Sequence, residues 1–162
     1  MLILTLAIFF NFAQSSQTGT IVGLVKLPER NTPAQSARIA LLPPKYTELF
    51  NKQVQQRLDN YWEQFKPEFA ANKEHFADFY RMAYLESFIY VTSAMRRDLG
   101  SGAAKFIKES SPTGQFELRG IPFGTYQILV LATPNGREVV WSRTVDVQTE
   151  IPIFVDPGKP VS

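Results

Sequence analysis

Apolar side chains change their spacing twice along this chain, and no other property of the sequence narrows the choice of fold as much. Up to Pro43 they alternate with polar or small residues, which is the period of a half-buried strand. From about Tyr46 to Gly100 they recur at helical spacing, and alternation returns afterwards. The pattern predicts a β domain that is interrupted by a helical insertion over residues 46–100.

Short β segments lie on both sides of the insertion. Thr20 to Leu27 is rich in β-branched residues, and Ala37 to Leu42 ends at two consecutive prolines, which cannot continue a hydrogen-bonded ladder. Further strands are predicted at 104–110, 115–118, 126–132, 137–142, 144–147 and 151–155. Pro112-Thr113-Gly114 and Pro134-Asn135-Gly136 are expected to form hairpin turns. About seven short strands with such turns predict an antiparallel β-sandwich with Greek-key connections.

The insertion is predicted to divide into two helices at Pro67. In the first, from about Thr47 to Lys66, Thr47 is expected to be the N-cap, with Glu48 in the first turn. The second carries an apolar stripe and ends near Arg97, with a glycine shortly beyond, which is typical of a helix end. Because the connection at Pro67 is short, the helices are predicted to pack as an antiparallel hairpin.

The first residues have the properties of a secretory signal peptide. Leu2 to Phe10 is almost wholly apolar, and small residues stand at Ala13 and Ser15, so cleavage is expected after Ser15. This run is shorter than the roughly 20 apolar residues that span a bilayer, so the mature chain is expected to lack a membrane span and to be secreted or periplasmic. Because no Lys or Arg precedes the run, a buried first strand or helix remains the alternative. The expected division is a leader at 1–15, a sandwich at 16–155 and a loose tail at 156–162.

Composition excludes several classes of function. The chain has no cysteine, so it holds neither a disulfide nor a thiolate nucleophile nor a sulfur-ligated zinc. Its formal net charge of +2 is too small for the electrostatic footprint of a protein that binds a nucleic-acid backbone. Gly100-Ser101-Gly102 lacks the rest of a phosphate-binding motif and follows a helix. We therefore expect no nucleic-acid partner, no cofactor and no metal.

A spaced set of turn and apolar residues lies between Thr113 and Tyr126. Its members are Gly114, Phe116, Leu118, Pro122, Gly124 and Tyr126. Glycine and proline suit the two turns, while Phe116 and Leu118 point to one face of a strand. This set resembles the central motif of carboxypeptidase regulatory-like domains, which are transthyretin-like β-sandwiches. The resemblance covers 20–42 and 105–155, leaves out the insertion, and departs at Ser36, where the family often has glycine.

The resemblance implies a binding role. Members of this family are mostly non-catalytic accessory modules, and their fold is similar to that of starch-binding domains. A protein or a glycan is therefore the expected partner, and enzymatic activity is not expected. Likeness of fold does not by itself establish function.

Few residues are placed for catalysis. His75, the only histidine, lies inside the second helix and is expected to be a surface residue rather than a catalytic one. A hydrolase that uses two carboxylates would have to draw on Asp59, Glu63 and Glu86. Basic residues three or four positions away, such as Lys66 after Glu63, instead indicate ordinary solvated helix pairs. Hydrolysis is the least favoured alternative.

More than half of the aromatic residues lie in the insertion. Their simplest role is structural, with the rings forming the seam between the helices and covering one face of a sheet. However, Phe79, Met82 and Ile89 lie off the main apolar stripe of the second helix. An exposed remainder would be an interaction patch for a protein partner or a sugar ring. The residues predicted to form this binding patch are Tyr61, Trp62, Tyr80 and Tyr84.

Overall fold

The computed structural model describes residues 17–27, 32–34, 36–72, 74–158 and 160. The predicted signal peptide, residues 1–15, lies outside these ranges. The described elements, in chain order, are β1 (Thr18–Leu24), β2 (Arg38–Leu42), α1 (Pro44–Ala71), α2 (Glu74–Leu99), β3 (Ile107–Glu109), β4 (Gln115–Pro122), β5 (Gly124–Ala132), β6 (Val139–Val147) and β7 (Ile153–Val155). Short 3-10 helices follow α2 at Gly100–Lys105 and β5 at Pro134–Gly136.

The strands form two sheets that pack face to face. One sheet has three strands in the order β4-β1-β7, and the other has four in the order β3-β2-β5-β6. Neighbouring strands are antiparallel except for β7, which runs parallel to β1. The predicted sandwich of about seven strands with a helical hairpin is confirmed, and the parallel β1–β7 pair corrects the expectation of a wholly antiparallel arrangement.

Two predicted connections differ from the structure. The hairpin predicted at Pro112-Thr113-Gly114 is wrong, because β3 pairs with β2 in one sheet whereas β4 pairs with β1 in the other. A tight turn does form there, with the Gly114 N–H donating to the Ser111 carbonyl oxygen at 2.9 Å, but it carries the chain between the sheets. The strands predicted at 137–142 and 144–147 are one continuous strand, β6. The hairpin predicted around Asn135-Gly136 is confirmed by the antiparallel pairing of β5 with β6.

The motif residues shape both ends of β4. Gly114 has a φ of 76°, and a Cβ atom there would lie 2.5 Å from the Val25 carbonyl oxygen, so the position requires glycine. At the other end, Phe123 alone separates β4 from β5, where the chain passes to the other sheet. The Tyr126 hydroxyl donates to the Pro122 carbonyl oxygen at 2.8 Å and closes this corner, as a tyrosine corner does in other sandwiches.

Ser36 adopts a backbone conformation that usually belongs to glycine. Its φ is 54°, in the left-handed region where a Cβ atom crowds the following carbonyl oxygen. This is the position at which the sequence departs from the family pattern. The turn therefore contains a strained serine, and the strain is relieved in principle by glycine.

α1 starts earlier than predicted. Pro43 is its N-cap residue and Pro44 occupies the first turn, where proline is already set for helical φ. The prediction that Thr47 is the N-cap is wrong. The Thr47 hydroxyl instead donates to the Leu42 carbonyl oxygen at 3.1 Å, from within the helix.

The chain does not reverse at Pro67, as the sequence predicts. Pro67 lies inside α1, and the helix is kinked just before it, where Phe65 has φ −117° and ψ 16°. α1 continues to Ala71, is capped at Asn72, and α2 then runs back along it. Proline therefore bends this helix without ending it, because the missing N–H and the ring clash are accommodated by the non-helical residue two positions earlier.

Two apolar cores divide the molecule into three layers. The first fills the space between the sheets and includes Ile39, Ile128 and Trp141. The second lies between the four-stranded sheet and the helical hairpin. Its buried members are Ala40, Leu42, Tyr46, Phe50, Val54, Phe88, Val91, Met95, Leu129, Leu131 and Val140. Since β5 is buried on both faces, its apolar run is nearly continuous instead of alternating.

Within the stretch predicted as a loose tail, Asp156 and Gly158 are hydrogen-bonded to β6. The Trp141 indole N–H donates to the Gly158 carbonyl oxygen at 3.1 Å, and Arg143 donates to the carbonyl oxygen of Asp156 at 2.5 Å. Pro157 is buried. Among the residues that the structure describes, no helix combines the length and apolar character needed to cross a membrane.

Candidate functional site: the distal half of the helical hairpin

The candidate site is the end of the hairpin at which the two helices meet. We call residues 59–71 of α1 and 74–83 of α2 the distal hairpin. None of its described side chains belongs to either core, because the contribution of α1 to the second core ends at Leu58 and that of α2 begins at Tyr84. Its described side chains thus lie outside the two cores, although Ala83 is buried, and Asp78 and Arg81 reach the β5–β6 connection.

Aromatic rings hold the distal hairpin together. Phe79 of α2 stacks on Phe65 of α1, with ring centroids 4.7 Å apart, and lies 5.4 Å from Tyr61. Along α2, Tyr80 lies 6.3 Å from Phe76. Aromatic pairs at these separations stabilise a contact beyond the area they bury. Rings from both helices therefore form the seam between them, which is the structural role expected for these residues.

The four predicted binding residues occupy different environments. Trp62 is 45% exposed, whereas Tyr61, Tyr80 and Tyr84 are partly buried. The structure brings Tyr80 and Tyr84 together, with their hydroxyl oxygens 3.1 Å apart and their ring centroids at 4.9 Å. Tyr84 also meets the core residue Phe50 edge-on at 5.7 Å. Trp62 is therefore the most exposed of the four residues.

Sequence reasoning did not single out Phe76 as a surface residue. It lies on the predicted apolar stripe of the second helix but is 50% exposed. The stripe continues past the end of the sheet, so its last ring has no strand to cover it. The lengths of the two elements indicate this exposure. The 26 residues of α2 form a helix that is longer than a nine-residue strand, so part of the helix extends beyond the sheet.

Burial keeps two of the tyrosine hydroxyls protonated. The pKa of Tyr61 is raised from 10.0 to about 12, first by burial and then by its hydrogen bond to Glu86. The pKa of Tyr84 is also raised, first by burial and then by the Tyr80 hydroxyl. Both hydroxyls therefore stay protonated to a higher pH than that of an exposed tyrosine. Glu86 in turn pairs with Arg57, whose Nε lies 2.9 Å from the carboxylate.

A cluster of charged residues ties α2 to the β5–β6 connection. Asp78 contacts Arg81 at 3.5 Å and Arg137 at 3.2 Å, and Arg81 reaches the Glu138 carboxylate at 3.8 Å. Exposed pairs of this kind contribute little individually, about 1 kcal/mol or less. Together they connect the distal hairpin to the residues between β5 and β6.

The predicted catalytic alternatives are not brought together in a cleft. Asp59 accepts a hydrogen bond from Gln55 at 2.8 Å and is exposed, as is Glu63. The side chain of His75 lies outside the described residues. Among the described residues, no group of three or more His, Cys, Asp or Glu side chains is arranged to hold a metal ion.

A shallow depression of about 490 Å³ lies on the three-stranded sheet. It is lined by Val22, Gly23, Leu24, Gln115, Phe116, Glu117 and Phe154. Phe154 is 66% exposed. Within the described ranges no helix covers this sheet, so the depression provides a second apolar surface, on the opposite side of the molecule from the hairpin.

Comparison with known proteins finds only distant likeness. No family model matches the sequence, and no curated protein matches it. The pilus backbone protein of Streptococcus pneumoniae is 14% identical with a TM-score of 0.36, over 81% of this chain and 34% of that one. A candidate carbohydrate-binding protein from Pseudomonas aeruginosa is 14% identical with a TM-score of 0.37, over 87% of this chain and 90% of that one. This chain thus spans about a third of the pilus protein's length.

Proposed function

We propose that this chain is an exported, non-catalytic binding module whose distal hairpin contacts a protein partner. The observation that carries the proposal is the exposure of Trp62 and Phe76 on a hairpin whose base is fixed to the sheet by a buried core. Trp and Tyr are enriched among the residues that dominate binding energy at protein interfaces. A large exposed ring at a fixed place offers much apolar area for little loss of side-chain entropy.

The surface is also preorganised. Phe79 packs between the two helices against Phe65 and Tyr61, so the part of α1 that carries Trp62 is held against α2. The charged contacts of Asp78 and Arg81 fix the direction of α2. A binding surface held in this way loses less conformational entropy when the partner binds, which favours affinity.

Export and family are part of the proposal. The apolar run and small residues within 1–15 support a cleaved leader and a secreted or periplasmic protein. Gly114 lies at a turn and Tyr126 near the start of a core strand, which are the roles that the resemblance to carboxypeptidase regulatory-like domains implies. Membership of that group would agree with an accessory role beside other proteins.

A non-catalytic role is supported by the contacts of the acidic side chains. Glu86 is neutralised by Arg57, and Asp98 by Lys45 at 3.1 Å. The Lys45 ammonium lowers the pKa of Asp98, so this carboxyl is held in its ionised form on the surface. A hydrolase instead needs a carboxylic acid whose pKa is raised by burial or by a neighbouring acid.

Alanine in place of Trp62 tests the proposal, with Phe154→Ala as the matched control. Both remove an exposed ring, but from opposite sides of the molecule. Immobilised wild-type chain would capture the partner from its native extract, and the purified partner would then be titrated against each variant by calorimetry. Trp62→Ala should weaken binding about tenfold or more, with an unchanged melting temperature, and Phe154→Ala should bind as wild type. Normal binding by Trp62→Ala would refute this assignment.

A glycan is the alternative partner, and the exposed indole of Trp62 specifically favours it. A flat aromatic ring can stack on the apolar face of a sugar. Saturable binding on a glycan array that is lost in Trp62→Ala and kept in Phe154→Ala, with no protein captured, would assign a glycan instead of a protein. Turnover of a glycan or peptide that is lost in Glu63→Gln would indicate hydrolysis and contradict both.

A further inference from the structure

The residues that follow β7 form a turn that joins the edge strands of the two sheets, β7 and β6. From β6, the Trp141 indole N–H donates to the Gly158 carbonyl oxygen at 3.1 Å, and Arg143 donates to the carbonyl oxygen of Asp156. The turn is also closed within itself, because the Asp156 carboxylate accepts the Gly158 N–H at 2.9 Å and Gly158 has a φ of 74°. Pro157 is buried between them. We call Asp156, Pro157 and Gly158 the latch.

β7 itself is a short strand at the edge of its sheet. It pairs with β1 over three residues, in a parallel ladder, which is slightly less stable per residue than an antiparallel one. Val155 is 4% exposed, whereas Phe154 is 66% exposed and Ile153 is partly buried. The latch contacts therefore contribute a large share of the interactions that keep β7 in place.

The segment that leads from β6 into β7 is exposed along its whole length. All five residues from 148 to 152 are exposed, and Ile151 is 74% exposed. Because these side chains bury little apolar surface, the segment can straighten at a small cost in free energy. The connection therefore permits β7 to move away from its own sheet once the latch is open.

We infer that the latch controls an exchange of β7 between two copies of the chain. While the latch is closed, β7 stays on its own β1, and when it opens, β7 pairs with β1 of a second copy. The structure shows the receiving groove with its occupant in place, since Ile153 and Val155 pack against the core between the sheets. A second copy supplies the same side chains in the same register, so the exchange of this identical element needs no new interface.

The latch sets the rate of this exchange and not its extent. The closed monomer and the exchanged pair contain the same β1–β7 ladder and the same latch contacts, so these contacts do not favour one form over the other at equilibrium. The hydrogen bonds of the latch and the burial of Pro157 must, however, be lost before β7 can leave. The extent depends on the protein concentration, relative to an effective concentration of the tethered strand that is about millimolar for a short connection. A dilute chain is therefore expected to be monomeric.

Disulfide trapping in the full chain measures the exchange, and the absence of native cysteine makes the result unambiguous. Val22 and Phe154 are partners across the β1–β7 ladder, so their Cα atoms lie within the distance of about 7 Å that a disulfide needs. Val22→Cys chains are mixed with tagged Phe154→Cys chains in oxidised glutathione. The mixed disulfide then forms where β7 has moved from one chain to the other. A Trp62→Cys chain in place of Val22→Cys measures random collision, since Trp62 is 45% exposed on the hairpin.

Two substitutions of Asp156, made in both chains of the mixture, test the latch. Asp156→Ala removes the acceptor of the Gly158 N–H and should speed formation of the mixed disulfide about fivefold or more, as expected for the loss of one hydrogen bond. Asp156→Asn keeps an oxygen at this position and should trap at a rate within about twofold of wild type. Equal rates in the two variants would overturn the role of the latch. Trapping no faster than with Trp62→Cys, in wild type and in both variants, would overturn the exchange itself.

Discussion

Replacing Phe50 with alanine tests whether the helical hairpin and the sandwich unfold as one unit. Phe50 is 1% exposed and lies in the core between α1 and the four-stranded sheet. It meets Tyr84 of α2 edge-on, with ring centroids 5.7 Å apart. The ring therefore joins both helices to the strands beneath them.

The expected loss is large compared with the stability of a domain of this size. Truncation of a fully buried phenylalanine to alanine costs about 3–5 kcal/mol, through lost transfer energy and the cavity that is left. A typical domain has about 5–15 kcal/mol in total. Since 1 kcal/mol corresponds to about 2–4 °C in a domain of 150–250 residues, the melting temperature should fall by about 6–20 °C.

Two optical probes follow the two parts of the structure during urea unfolding. Far-UV circular dichroism is dominated by the helices. In a Trp62→Phe background the remaining indole, Trp141, reports on the core between the sheets, where it is buried. Both probes should move together to lower urea in Phe50→Ala. The control is Phe154→Ala, the same chemical change at an exposed site, which should cost less than about 1 kcal/mol.

Either of two results would refute this reasoning. A loss below about 1 kcal/mol in Phe50→Ala would mean that the second core does not depend on this ring. Separation of the two probes in the wild-type chain, with the helices melting before the environment of Trp141 changes, would mean that the hairpin is not part of the cooperative unit.

Two further predictions concern backbone strain and pH. Ser36→Gly should raise the free energy of unfolding by up to about 1 kcal/mol, because relief of the left-handed strain exceeds the entropy cost of glycine. Denaturant titration measures this gain. An equal gain in Ser36→Ala, which keeps the strain, would contradict the explanation. Because the pKa of Tyr61 is raised from 10.0 to about 12 in the folded state, its stabilising contribution is complete below pH 10 and is lost as pH rises through about 12. Urea midpoints should therefore fall less steeply over this range in Tyr61→Phe than in wild type, and identical slopes would count against the assignment.

Much of the fold follows from local patterns. Asn135-Gly136 between apolar runs predicts the β5–β6 hairpin, which the pairing confirms. Gly114 is needed for its positive φ, and the motif residue Tyr126 lies at the start of a core strand. Pro67 is a position where the local pattern and the structure differ. A proline at this position predicts a helix end. In the structure α1 continues past it, because a kink at Phe65 accommodates the proline ring and the missing N–H.

The candidate site was only partly predictable for a related reason. The sequence places Trp62 and Tyr84 alike among the rings of the insertion, since both lie on helical stripes. Their difference in the structure, one exposed and one packed against Phe50, depends on where the sheet ends beneath the hairpin. Helical periodicity does not contain that information.

The amino-acid sequence alone determines the alternation of strand and helix, the positions of the main turns and the surplus of aromatic rings, because these follow from steric preferences and side-chain periods within a few residues. Only the tertiary structure decides that β3 and β4 belong to different sheets, that β7 runs parallel to β1, and that Trp62 is exposed while Tyr84 packs against the core. These features depend on contacts between segments far apart in the chain. An apolar face of a strand or helix can pack against any apolar surface, and the whole fold determines which one lies next to it.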